Sequence, residues 1–342
     1  MVHRICSRLA LVSLTVAVLG CQQIVFVSDD GGGDDGDGGS TTIWVPDDQD
    51  EGGWADQSSP NPETSTAELG DDDGDDGPPK LDVPGGGPAC SLVDLLFVID
   101  DSSSMLAEQN NLIASFDGFV QGIQENLDEA NDYHVGVVTT DAYALNDPSC
   151  RSLGALVTAA ELGPCGPWAA GRFITLADEL EPAFVCAASV GIEGDGDERQ
   201  VGALLEAVGP SHAGEGGCNA GFLRDDALLV VVLVSDEDDG GSSIPGEDGS
   251  FGEPQQWFDA LVDIKGVETN VVMLGLIGVA PPNACDPNDP YELSKPGYRL
   301  RNLIERFSYG EVGDVCIDDY GPFFGQALGL IKAACESFTP VG

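Results

Sequence analysis

Three runs of apolar residues limit what this chain can fold into: Leu92–Ile99, Leu228–Val234 and Val271–Ile277. The first is interrupted only by Asp94. A strand with one wet face alternates polar and apolar side chains. A strand that is apolar at nearly every position must be covered on both faces, as in a parallel sheet. His134–Val138 reads as a further short strand. The segments between these runs carry helical spacing instead. Leu112, Phe116 and Phe119 share one face, and Val201, Leu204, Leu205 and Val208 share another before the stop at Gly209-Pro210. Pro254 and Gly266 bracket Trp257, Leu261 and Ile264, a proline at the start and a glycine at the stop. Leu300, Leu303, Ile304 and Phe307 form a fourth face, and Phe324, Leu328, Ile331 and Cys335 a last one. Strands alternating with helices predict an α/β fold over residues 90–338, with a doubly wound, mostly parallel central sheet. In such sheets ligands bind beyond the carboxyl ends of the strands.

The most specific chemistry falls at that edge. The first apolar run leads straight into Asp100-Asp101-Ser102-Ser103-Ser104-Met105, so Asp100, Ser102 and Ser104 have the spacing D-x-S-x-S. A turn after the strand can aim one carboxylate and two hydroxyls at a common point. Oxygen-only ligands of this kind suit a hard divalent cation, Mg²⁺ or Ca²⁺. The second run ends in Ser235-Asp236-Glu237-Asp238-Asp239. If the two strands are neighbours, Asp236 approaches the same ion directly or through water.

These residues resemble a von Willebrand factor A domain with a metal-ion-dependent adhesion site. The resemblance covers roughly residues 90–338 and rests on D-x-S-x-S after a hydrophobic strand and Ser-Asp after a later one. Val137-Val-Thr-Thr-Asp141 is similar to the same stretch in secreted and lipoprotein members. The resemblance implies a divalent cation held by Asp100, Ser102, Ser104 and Asp236, with one coordination position left for a carboxylate of a partner macromolecule. It also implies a threonine from a third loop. That loop reads as residues 189–197, which contain none; Ile192 stands in the apparent place, with Ser189 or Glu193 as substitutes.

The ends of the chain suggest where such a domain would work. Residues 1–21 carry Arg4 and Arg8, no acid, and a largely apolar stretch from Leu9 to Leu19. That stretch is short of the ~20 residues needed to span a bilayer and matches the core of an export signal. Gly20-Cys21 resembles the lipobox of bacterial lipoproteins, which implies lipidation of Cys21, anchorage in a membrane, and an outer-membrane or cell-surface location. Residues 22–89 are Gly- and Asp-rich with Lys80 as their only basic residue, the composition of a disordered tether. Asp71, Asp73 and Asp75 mimic the first ligands of a calcium loop, but Asp76 stands where the turn glycine belongs. Across the chain 60 acidic residues face 13 basic ones, a net charge of −47, which argues against nucleic acid as a partner.

Cysteine usage agrees with export. Beyond Cys6 and Cys21 stand Cys90, Cys150, Cys165, Cys186, Cys218, Cys285, Cys316 and Cys335, an even set that favours disulfides. The expected pairs are Cys90–Cys335, Cys285–Cys316, Cys150–Cys165 and Cys186–Cys218. No C-x-x-C occurs, and only His134 and His212 lie beyond the signal, so zinc is poorly served. No G-x-S-x-G or H-E-x-x-H is present, and a phosphatase of the aspartyl-phosphate kind would want an acid where Ser102 stands. The resemblance implies cation-dependent binding of a protein or other extracellular macromolecule as the function. An envelope-assembly module with a degenerate metal site comes second, and a metal-dependent hydrolase is the weakest alternative.

Overall fold

The computed structural model describes residues 90–126, 132–160, 163–240, 249–285 and 294–340. The signal-like segment with Cys21, the acidic tether and its Asp71–Asp76 run lie outside the described residues. The elements follow in the order β1 (Leu92–Ile99), α1 (Leu106–Asn126), β2 (Asp132–Thr139), β3 (Ala159–Ala160), β4 (Gly163–Pro164), β5 (Ile174–Thr175), α2 (Leu180–Ala188) and α3 (Gln200–Val208). Then come α4 (Pro210–Ala213), β6 (Leu228–Ser235), α5 (Pro254–Lys265), β7 (Val271–Ile277), α6 (Tyr298–Ile304), β8 (Gly310–Asp314) and α7 (Gly321–Ser337).

Six strands form one mixed, mostly parallel sheet in the order β5-β2-β1-β6-β7-β8, with only β5 antiparallel to its neighbour. The apolar runs are its centre: every residue of β6 and β7 is buried. Alternation along β1 divides the core in two, as the two-residue period of a strand requires. Leu95, Phe97 and Ile99 face a layer built with Phe116, Phe119, Phe184 and Phe324 from α1, α2 and α7. Leu96 and Val98 face Leu204, Trp257, Leu261 and Ile304 from α3, α5 and α6. Helices thus cover both faces, and the chain is an α/β fold.

The flanking strands escaped the sequence reading. β8 is half-buried throughout and contains Gly310, Glu311, Gly313 and Asp314, and β5 is two residues long. Edge strands need no continuous apolar run, so periodicity does not mark them.

Among the described residues four disulfides are formed, and two correct the expectation. Cys90–Cys335 and Cys285–Cys316 pair as expected. Cys150 pairs with Cys218, and Cys165 with Cys186, in place of Cys150–Cys165 and Cys186–Cys218. Their Cα atoms stand 5.8 and 5.6 Å apart, within normal bridging reach. Contacts remote in sequence decide this. His212 on α4 donates through Nε2 to the Leu153 carbonyl at 2.9 Å, and Asn219 accepts the Leu156 amide at 2.9 Å, which brings Cys218 to Cys150. α2 packs on β3 and so carries Cys186 to Cys165. Among the described residues no helix is long and apolar enough to cross a membrane.

Candidate cation site at the carboxyl edge of the sheet

β1 and β6 are adjacent and parallel, with Ile99 opposite Val234, and the Asp100 amide extends the ladder by donating to the Val234 carbonyl at 3.0 Å. The two expected loops therefore leave the sheet side by side. Asp100 is fully buried. Its Oδ1 accepts the Ser102 amide at 2.9 Å and its Oδ2 accepts the Ser235 hydroxyl at 2.6 Å. The Ser102 and Ser104 hydroxyls lie 3.3 Å apart, and Ser104 stands close enough to Asp236 to favour its charged form. Asp100, Ser102, Ser104 and Asp236 are thus brought together. Met105, buried after the turn, anchors the start of α1, and Gln109 donates to the carbonyls of Asp100 at 3.0 Å and Gly191 at 2.8 Å.

The third loop enters differently from the sequence reading. Ser189 caps α2 by donating to the Val185 carbonyl at 2.7 Å, Ile192 is half-buried, and Glu193 is exposed. The side chain this loop delivers is Glu198, 4% exposed, whose carboxylate accepts the Thr140 hydroxyl. Asp101 joins from the first loop, with its Oδ1 3.5 Å from the same hydroxyl. Its backbone carbonyl accepts the Gly194 amide at 2.8 Å, and a Cβ on residue 194 would lie 2.6 Å from the Asp101 Cγ, so only glycine permits this approach. Thr140, Asp101, Glu198 and Ser235 were missed as members of the cluster.

The electrostatics are one-sided. Among the described residues, no ion pair reaches Asp100, Asp101, Glu198 or Asp236; nearby Lys295 pairs with Glu237 at 2.7 Å instead. Burial, then repulsion from Asp141 and Asp100, pushes Asp101 up to about 8. Burial, then Asp100, pushes Glu198 up to about 9. Burial, then Asp100, pushes Asp236 up to about 6, and burial raises Asp100 as well. Two deeply buried oxygens, Asp236 Oδ1 and Glu198 Oε1, have no hydrogen-bond partner. Buried carboxylates are normally paired or bound to a metal. The all-oxygen donor set of Asp100, Ser102, Ser104 and Asp236, with Asp236 Oδ1 orphaned and no ion pair of its own, fits a hard divalent cation.

Beside the cluster opens a cavity of about 270 Å³, lined by Asp101, Asp141, Tyr143, Leu145, Val190 and Glu193. Leu145 is 44% exposed at its mouth.

Other candidate chemistry is weaker. Cys285, Asp314 and Cys316 lie close together, but the two cysteines are disulfide-bonded and offer no thiolate to a metal. His212 Nε2 is 3.3 Å from Ser152 Oγ, yet it donates its proton to the Leu153 carbonyl and so cannot act as that serine's base. His134 donates through Nδ1 to the Phe222 carbonyl at 2.7 Å.

No family model matches the chain, and no curated protein matches it. Among solved structures, two of proximal thread matrix protein 1 from the mussel byssus align with it at 18% identity, with TM-scores of 0.34 and 0.35. The alignments cover 73% and 72% of this chain and 47% of the mussel protein, so the chain spans about half its length. Likeness of that degree assigns neither fold family nor function.

Proposed function

We propose that this chain is a lipid-anchored surface protein of the von Willebrand factor A type, whose cation site organises the binding of another macromolecule. The observation that carries the reading is the convergence of Asp100, Ser102, Ser104 and Asp236 at the carboxyl edge of neighbouring strands, with the Asp236 Oδ1 buried and unpartnered. Asp100 and Asp236 would hold Mg²⁺ or Ca²⁺ with the two serine hydroxyls. The ion would supply the positive charge that the cluster lacks and would lock the β1 and β6 loops into one surface. A partner carboxylate could complete its coordination, and the acidic cavity alongside suits a basic group of the same partner. The anchor at Cys21 and the acidic tether supply a location at the membrane surface.

Glu198 favours a second reading, an envelope-assembly module whose ion is structural. The further buried acids Glu198 and Asp101, electrostatic neighbours of Asp100, would weaken the positive field that attracts an acidic partner.

Ion binding is tested first by stability. At a concentration 100-fold above Kd, Mg²⁺ or Ca²⁺ stabilises the native state by about 2.7 kcal/mol. For a domain of this size that is a rise in Tm of roughly 5–10 °C. Asp100→Ala should remove the gain. No shift with either ion would sink the reading.

A further inference from the structure

We infer that the cavity beside Arg151 and Arg172 is a second binding site of this protein, and that it receives the side-chain carboxylate of a glutamate or aspartate on a partner protein. The inference is independent of the cation reading, because none of the residues proposed to hold the ion lines this cavity.

The cavity has a volume of about 570 Å³, and its lining includes Arg151, Arg172, Asp147, Pro148, Pro164 and Pro167. Two arginines on one wall stand out in a chain with 13 basic residues against 60 acidic ones. Neither forms an ion pair among the described residues. Backbone oxygens of one loop hold both instead. Arg151 donates through Nε to the Asn146 carbonyl at 2.6 Å, and Arg172 through Nη2 to the Leu156 carbonyl at 2.6 Å. Asn146 is fully buried and ties that loop together, donating to the Leu156 carbonyl at 3.1 Å and accepting the Thr158 amide at 3.0 Å. The disulfides of Cys150 and Cys165 brace the wall next to Arg151 and Pro164. The donors are thus fixed before a ligand arrives, which lowers the cost of binding.

The local charge selects the ligand. Among the described residues lining the cavity, Asp147 is the one acid, and its Oδ1 is taken by the Ser149 amide at 3.0 Å and hydroxyl at 2.6 Å. Burial disfavours the charge of Arg172, Asp147 offsets that only in part, and the Arg172 Nε is buried without a partner. Two guanidinium groups and one carboxylate leave a charge of 2 − 1 = +1 on the wall. One further carboxylate balances it, whereas a phosphate dianion would leave excess negative charge. Guanidinium groups also match the paired oxygens of a carboxylate. The space is far larger than a carboxylate alone, and Leu145 with the three prolines offers apolar contact to the stem and neighbours of an acidic residue in a peptide.

The test is an NMR titration of the purified protein at low salt with EDTA present, following the arginine Nε–H signals as the capped peptide acetyl-Ala-Ala-Glu-Ala-Ala-amide is added. Saturable shifts at Arg151 and Arg172, with a Kd on the order of millimolar, are expected. The same peptide with glutamine in place of glutamate should not bind. Arg151→Gln should weaken binding on the order of tenfold or more. Arg301→Gln, at an arginine paired with Glu305 on α6, should leave it unchanged. Absence of saturable shifts at both arginines, undiminished affinity in a folded Arg151→Gln, or tighter binding of inorganic phosphate than of the peptide overturns the inference. Acetate binding as tightly as the peptide overturns the partner protein as its source. EDTA removes the cation throughout, so none of these outcomes bears on the cation site.

Discussion

Replacing Arg224 with alanine should destabilise the protein by about 3–5 kcal/mol, the cost of stripping one partner from a buried ion pair. Asp94 interrupts the apolar run of β1 and is fully buried. Arg224 is what makes that tolerable. Its backbone amide donates to Asp94 Oδ2 at 2.7 Å, its Nε donates to Oδ1 at 2.8 Å, and its Nη2 lies 2.7 Å from Oδ1. The same guanidinium reaches Asp132 Oδ2 at 2.8 Å and the Val93 carbonyl at 3.1 Å, so it ties the loop before β6 to the starts of β1 and β2. Lys265 then donates to the Arg224 carbonyl at 2.7 Å. In Arg224→Ala the carboxylate stays buried without its guanidinium. Thermal unfolding with the disulfides intact should show Tm lower by roughly 10 °C or more. A further Asp94→Leu change should recover part of the loss, because an apolar side chain leaves no orphaned charge. A loss under about 1 kcal/mol in Arg224→Ala would mean that the pair matters far less than its burial implies.

The second large effect is a pH dependence that a cation should abolish. Asp101 and Glu198 hold their protons up to about 8 and about 9 in the folded protein, and Asp236 up to about 6, because burial and neighbouring acids penalise the charged forms. In the unfolded chain the same groups release protons near their ordinary values of about 4. Between those limits the native state binds more protons than the unfolded state, so stability falls as pH rises. Below pH 4 the penalty is absent, and above pH 9 it is fully present. Each pKa unit is worth about 1.4 kcal/mol, so the combined effect reaches several kcal/mol. Protein freed of metal by chelation and desalting should therefore lose roughly 10 °C in Tm from pH 5 to pH 9. Saturating Mg²⁺ or Ca²⁺ at Asp100 and Asp236 favours the charged forms of the neighbouring acids and should flatten the curve. General repulsion in this acidic chain has the same sign, but salt screens it while leaving the buried cluster largely unaffected. A flat or rising Tm in the metal-free protein would contradict the description of the cluster.

The parts of this account differ in how legible they are in the sequence. The sheet centre is written in β1, β6 and β7, because burial on both faces forces apolar residues at nearly every position. The cluster is half legible. D-x-S-x-S and Ser-Asp mark Asp100, Ser102, Ser104 and Asp236, since each motif directly follows such a run. Glu198 is hidden among Glu193, Asp195 and Asp197, and counting along the loop does not tell which acid turns inward. One signal does point to it. Glu198 lies three residues before Val201, so carrying the buried face of α3 back one turn reaches it. Thr140 and Asp101 lack even that, because their roles depend on where the loops after β1 and β2 meet. The partner of Asp94 is equally invisible, since 130 residues separate it from Arg224. The two corrected disulfides have the same cause: α2 packing on β3 and α4 reaching the Leu153 carbonyl are tertiary events that sequence spacing does not encode.

The central claim is that these oxygens hold one hard ion. A crystal of the protein grown with millimolar calcium and measured at long wavelength tests it directly. The account predicts a single anomalous peak between the β1 and β6 loops, about 2.3–2.6 Å from oxygens of Asp100, Ser102, Ser104 and Asp236. Ordered loops in these positions with water alone between them, or with calcium only on the acidic outer surface, would contradict it.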